Sequence, residues 1–152
     1  MSALVTDASI VVKWVVDEEG TQSALALRKS VRLIAPELLV AECANILWKK
    51  VHRKELAKDE ALLAARLLAR ADIELIPMRD LLEPATRIAI ELAHPAYDCL
   101  YLALAIARMC RLVTADTRLL RKIEQSSRSP YRDVVVSLEK AAATGGSDVP
   151  RP

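Results

Sequence analysis

Ala3-Leu4-Val5-Thr6-Asp7-Ala8-Ser9 passes from strand to acid to helix within seven residues. Residues 3–6 suit a short apolar strand. Asp7 or Ser9 then stands where an N-cap is expected before the apolar run over 9–16. The same order recurs at Arg111-Leu112-Val113-Thr114-Ala115-Asp116-Thr117, again a strand, an acid and the start of a helix. Between these two stretches, strands are predicted over 32–35 and 73–77. Helices are predicted over 21–30, 37–52, 58–70, 81–92 and 97–109. A helix over 117–124 and a strand over 133–137 follow, with Gly20, Pro36 and His94-Pro95 as punctuation. Strands alternating with helices predict an α/β fold in three layers, with a central, mostly parallel sheet of about five strands flanked by helices.

The chain has 152 residues, enough for one ordinary domain. That domain is read over 1–138, with residues 139–152, rich in Ala, Gly, Ser and Pro, expected to form a disordered tail. With 53% hydrophobic residues but 3% aromatic and no Phe, the core must be aliphatic. A net charge of +2, from 22 basic and 20 acidic residues, neither demands nor excludes nucleic acid. Any phosphate-binding footprint must be local. Cys43, Cys99 and Cys110 lack paired metal-ligand spacing. On helical geometry Cys99 and Cys110 stand about 16 Å apart, too far for a bridge. They read as core thiols of a chain in a reducing compartment, so a cytoplasmic location is expected. The chain does not open on a signal-peptide pattern, and the longest apolar run, 99–107, is too short to cross a membrane.

In open α/β sheets, ligands gather beyond the carboxyl ends of the strands. Asp7 and Asp116 both fall there. Asp98 occupies the first turn of a helix whose next charged residue is Arg108. Glu42 lies in a largely apolar helix, on a narrow polar stripe with Asn45 and Lys49 at i, i+3 and i+7. Each acid has a plainer reading: a cap for Asp7 and Asp116, a dipole partner for Asp98, a solvated face for Glu42. Their joint placement argues for more. Carboxylates drawn together repel unless a cation neutralises them, and hard cations such as Mg²⁺ and Mn²⁺ favour oxygen donors. Phosphodiester hydrolysis is the chemistry that commonly uses such a site.

Four motifs carry a resemblance. They are Val5-Thr6-Asp7-Ala8-Ser9 continuing to Lys13-Trp14, and Ala35-Pro36-Glu37-Leu38-Leu39 running through Glu42 to Asn45-Ile46-Leu47. The third is Tyr97-Asp98-Cys99-Leu100-Tyr101-Leu102-Ala103-Leu104-Ala105, and the fourth is Thr114-Ala115-Asp116-Thr117-Arg118-Leu119. In this order, spanning 3 to 137, they resemble the motifs of PIN-domain proteins, in particular VapC-type toxins of toxin–antitoxin pairs. The resemblance implies a PIN-like fold and a Mg²⁺- or Mn²⁺-dependent endoribonuclease with Asp7, Glu42, Asp98 and Asp116 as its catalytic acids. Asp7, Asp98 and Asp116 would bind metal, and Glu42 would bind metal or orient the attacking water. Ser9, Asn45 and Thr114 would hydrogen-bond the acids. The resemblance further implies homodimers and a cognate antitoxin protein that blocks the pocket. Cys43 and Cys99 depart from the usual pattern, which has small or aliphatic residues beside these acids, and are read as core packing.

An acidic pocket repels phosphate, so basic residues should hold the RNA strand. Arg118, directly after a proposed ligand, and Lys49, in the basic run 49–54, are the candidates. His52 and His94 show no partner spacing, and His94 beside Pro95 reads as a loop residue. Tyr97 and Tyr101 read as core. A receiver domain would need an acidic pair after the first strand and a Lys after the last. A haloacid-dehalogenase-type phosphatase would need a second Asp where Ser9 stands. The alternative from another class is a PIN-like scaffold that binds RNA or protein without cutting it; retention of all four acids favours the enzyme.

Overall fold

The computed structural model describes residues 2–126 and 130–144. Five strands form one sheet: β1 (Ala3–Thr6), β2 (Arg32–Pro36), β3 (Glu74–Ile76), β4 (Arg111–Thr114) and β5 (Val135–Ser137). All are parallel, in the order β3-β2-β1-β4-β5. The strands are short apolar runs with few charges, as expected where both faces of a parallel sheet are covered. Alternate residues serve opposite faces: Val5, Leu112 and Val135 pack into one apolar cluster, and Leu4, Val113 and Val136 into the other.

Helices cover both faces. On one side lie α3 (Leu38–His52), α4 (Lys58–Leu68), α5 (Leu82–Leu92), α6 (Ala96–Ala107) and α7 (Thr117–Gln125). On the other, α2 (Thr21–Ser30) packs with α8 (Leu138–Ala143). The first helix, α1 (Ala8–Val11), tightens into a 3₁₀ turn at Val12–Trp14 instead of running on to residue 16. The α6 helix is buried on nearly every side from Cys99 to Ala105 and packs against β1, β2 and β4. A helix apolar all round has no face to give to water, so it lies against the centre of the sheet.

Strand order positions the site. From β1 the chain steps outward to β2 and β3, then returns across β1 to β4 and β5. The connections therefore leave a crevice at the carboxyl ends of β1 and β4, where the winding reverses. The register sets Thr6 beside Val113, so the next residues on the two strands are Asp7 and Thr114.

Two sequence-based boundaries need correction. The last strand begins at Val135 and not at 133, because the amide of Val134 turns back to the Tyr131 carbonyl at 3.0 Å. The disordered tail expected from 139 is ordered over its first part: Leu138–Ala143 is a helix capped by Ser137, whose hydroxyl accepts from the Lys140 amide. Its anchors are Leu138 and Ala141, 1% and 0% exposed. Their apolar side chains fill a gap beside α2, which composition alone does not reveal. Residues 145–152 lie outside the described part. Leu138→Ala is expected to cost about 2–5 kcal/mol of stability, measured by urea unfolding, as for other buried leucines. A cost below about 1 kcal/mol would mean that α8 is dispensable to the fold.

Candidate active site

Asp7 is the N-cap residue of α1 by position, yet its side chain makes no capping bond. Instead both carboxylate oxygens accept hydroxyl protons. Ser9 Oγ donates to Oδ1 at 2.5 Å, and Thr114 Oγ1 donates to Oδ2. Each hydroxyl also accepts a backbone amide at 3.0 Å: Ala115 N–H donates to Ser9, and Asp116 N–H to Thr114. The loop after β4 is thereby stitched to the turn after β1 through one carboxylate. Asp7 is 7% exposed, and burial pushes its pKa up from 3.8 to about 7. The two hydroxyls oppose that rise, while the charges of Asp98 and Asp116 add to it.

The other three acids reach the same crevice from three further segments. Asp116 caps α7, accepting from the Arg118 amide at 2.9 Å. Asp98, in the first turn of α6, shares a hydrogen bond of 2.5 Å with Nε2 of His94. Burial raises its pKa, the His94 bond opposes the rise, and the charges of Asp116 and Arg118 act on it in opposite directions. Glu42, on α3, is half-buried and also raised by burial, and it feels Asp98 and Asp116. All four acids are therefore electrostatic neighbours. They do not form a closed ligand set: among the described residues no three carboxylate, imidazole or thiol groups stand close enough to hold one ion.

Of the remaining residues singled out in the sequence, Ser9 and Thr114 hydrogen-bond Asp7, whereas Asn45 is exposed and makes no bond to an acid. Arg118 is exposed and close enough to act on Asp98. Lys49 is exposed, while its neighbour Lys50 is committed to Glu18 at 2.8 Å and Glu55 at 3.4 Å. The Cys43 and Cys99 thiols are buried, free and raised to about 12 and about 11 by burial, so neither is reactive. Tyr97 is 65% exposed and not a core residue.

Two residues of the crevice escaped the sequence reading. His94 reaches Asp98 because Ala93 ends α5 in the left-handed region, at φ 49°, and turns the chain between the two helices. Its only signal was the spacing of four residues to Asp98, hidden by the intervening Pro95. Tyr101 is core by burial, at 1% exposed, yet its hydroxyl is near enough to Glu42 to hold down that acid's pKa, while among the described residues it makes no hydrogen bond of good geometry. An unpaired buried hydroxyl costs roughly 1–3 kcal/mol.

The PIN domain family model covers residues 4–125. The chain belongs to the PIN-domain family. Ribonuclease VapC9 of Mycobacterium tuberculosis is 32% identical over 116 residues, 76% of this PIN domain chain and 87% of the relative. Ribonuclease VapC3 of Pyrobaculum aerophilum is 31% identical over 122 residues, 78% and 93% of the two chains. In fold, the PIN domain chain is similar to the crystal structure of PAE2754 from Pyrobaculum aerophilum. The TM-score is 0.71 at 19% identity, covering 97% of this chain and 91% of that one.

The buried Asp7 has a thermodynamic consequence. Its pKa of about 7 in the folded chain lies above the 3.8 of an unfolded one, so between those values the folded state keeps a proton that the unfolded state has released. Stability from this group is full below about pH 4 and drains away as pH rises to about 7, by an amount of the order of 4 kcal/mol. Asp7→Asn, compared with the parent in the presence of a chelator, is expected to flatten that slope and to be the more stable of the two at pH 8. Identical pH profiles in urea unfolding would show that Asp7 is ionised throughout.

Proposed function

We propose that this chain is a metal-dependent endoribonuclease that hydrolyses RNA phosphodiester bonds, and that it is the toxin of a toxin–antitoxin pair. The observation that carries the reading is the convergence of four acids at the point where the sheet's winding reverses. The VapC ribonucleases it is related to support the same activity. Asp7, Glu42, Asp98 and Asp116 are the catalytic acids of this proposal.

The donor set suits a hard divalent cation, Mg²⁺ or Mn²⁺, in charge and in kind. Burial holds Asp7 partly protonated near neutrality, and the charges of Asp98 and Asp116 add to that pressure, so a positive ion is what the crevice lacks. Asp7, Asp98 and Asp116 would hold it in this reading, in part through bridging waters because no three of the acids stand close enough to share one ion directly, with Ser9 and Thr114 fixing Asp7 through their hydroxyls. When bound, such an ion neutralises charge developing on the phosphate and makes a nearby water more acidic. Glu42 orients the attacking water through its carboxylate, and burial makes that carboxylate the stronger base. Arg118, beside Asp98, and Lys49, exposed on α3, hold the RNA phosphates on either side of the acids.

The partners in this reading are the RNA substrate, a cognate antitoxin protein and a second copy of the chain. Apolar surface exists to receive a protein: a groove of about 370 Å³, lined by residues such as Val40, Leu47, Leu68 and Leu75, runs beside α3 and α4. Among the described residues no helix is long and apolar enough to cross a membrane. A cytoplasmic site of action follows from an RNA substrate.

Purified protein incubated with a mixed RNA pool should cleave it only with Mg²⁺ or Mn²⁺, and Asp7→Asn and Asp98→Asn should each lose at least about 100-fold in rate. Cleavage that survives both substitutions would assign the activity to a contaminant. In the same preparations Mn²⁺ should raise the melting temperature, and more so at pH 8 than at pH 6, because binding must displace the Asp7 proton. No shift in millimolar metal at either pH would count against the pocket.

A further inference from the structure

Asp98 stands third in α6, after Ala96 and Tyr97, with Pro95 at the N-cap. An acid at that position commonly folds back to the N-cap amide and completes a capping box. Pro95 has no amide hydrogen, so that partner does not exist here. The partner Asp98 does have is His94. Its Nε2–H donates to Oδ2 at 2.5 Å, and the two side chains are 10% and 23% exposed. Oδ1 accepts no hydrogen bond among the described residues. The backbone that carries the imidazole is held without help from this pair. Ala93 closes α5 at φ 49°, and the His94 amide donates back to the Ala89 carbonyl at 3.2 Å. On the other side, Pro95 favours extended backbone at His94. In this kind of helix ending, the residue after the left-handed one ordinarily packs an apolar side chain back onto its own helix. Here it is an imidazole turned onto the acid of the next helix, so neither capping nor packing accounts for a histidine at 94.

We propose that His94 is a positioning residue for Asp98: the bond from Nε2–H holds Oδ2 and leaves Oδ1 as the oxygen offered to the cation. Asp7 is fixed through both oxygens by Ser9 and Thr114, and Asp116 by the Arg118 amide. His94 gives Asp98 the corresponding hold, from a loop outside the helix that carries the acid. A carboxylate free to rotate has to be ordered when an ion binds, and one already ordered loses less. The effect therefore falls on ion affinity and on rate, not on RNA affinity. This role rests on the reading of Asp98 as an acid that holds a divalent ion, and it adds how that acid is aimed.

The test is a series at one position, His94→Ala, His94→Asn and His94→Gln, read at a single pH by Mn²⁺ calorimetry, by RNA cleavage and by melting in chelator. The side-chain nitrogen of Gln lies as many bonds from Cβ as imidazole Nε2 does, whereas that of Asn is one bond closer and matches Nδ1. His94→Ala and His94→Asn should each weaken Mn²⁺ binding and slow cleavage by about 10-fold or more, with RNA KM nearly unchanged. His94→Gln, which restores a donor where Nε2 stood, should stay within about 3-fold of the parent in both. His94→Asn and His94→Gln should melt alike in chelator, so that a difference in their ion binding does not come from the fold. Parent-like Mn²⁺ binding in His94→Ala, an equal loss in His94→Asn and His94→Gln, or a loss that follows the melting temperature would each overturn the proposal. Should the Mn²⁺ series behave as expected while the parent cuts no RNA, the positioning role stands and the nuclease reading falls. Should the parent cut RNA in a metal-dependent way while the whole series binds Mn²⁺ alike, the reverse holds.

Discussion

The hydrogen-bonded seat of Asp7 is the constraint around which the rest is arranged. Burying a carboxylate is unfavourable unless its oxygens find donors, and here both do, through Ser9 and Thr114. The two hydroxyls come from different elements, and they meet only because β1 and β4 are adjacent and parallel with Thr6 beside Val113. A slip of one residue would turn Thr114 to the opposite face of the sheet. The local chemistry of one acid and the global register of the sheet are therefore the same constraint. Each hydroxyl also takes a backbone amide, so the loop that carries Asp116 is held by the side chains that hold Asp7.

The seat is incomplete in energetic terms. Two donors do not repay the burial of Asp7, whose pKa still rises to about 7, and the neighbouring acids make the deficit larger. The aliphatic core has to carry this cost. Its centre is α6, whose apolar circumference lies against β1, β2 and β4 while its first turn delivers Asp98 to the crevice. Stability and site thus draw on one helix, which is a reason for it to be so apolar. In the proposed function, such a crevice would bind a divalent ion more tightly once the proton on Asp7 is lost.

How much of this could be read from the sequence follows from the range of the interactions. The strands and helices were legible because each is a local pattern of apolar residues and turn residues. Asp7 and Asp116 were legible as strand-end acids, but not their different fates. The cap expected of both is made only by Asp116, whose side chain reaches the Arg118 amide. Asp7 was drawn away from its own helix by a hydroxyl 107 residues along the chain, and no local pattern encodes that. The helix α8 was missed for a similar reason: Leu138 and Ala141 matter through α2, while the residues that follow carry the composition of a tail.

His94 and Tyr101 mark the limit of pattern reading most clearly. Histidine before proline reads as a loop, and the left-handed turn at Ala93 that brings it to Asp98 has no glycine to announce it. Tyrosine in an apolar helix reads as packing, and by burial it is packing; only its hydroxyl belongs to the crevice. His94 meets its acid from outside the four motifs' charged residues, through a contact that only the tertiary fold brings together. Acids announce themselves in a sequence because charge is rarely buried without reason. Partners such as His94 carry no such signal, so they are the groups a structure is needed to find.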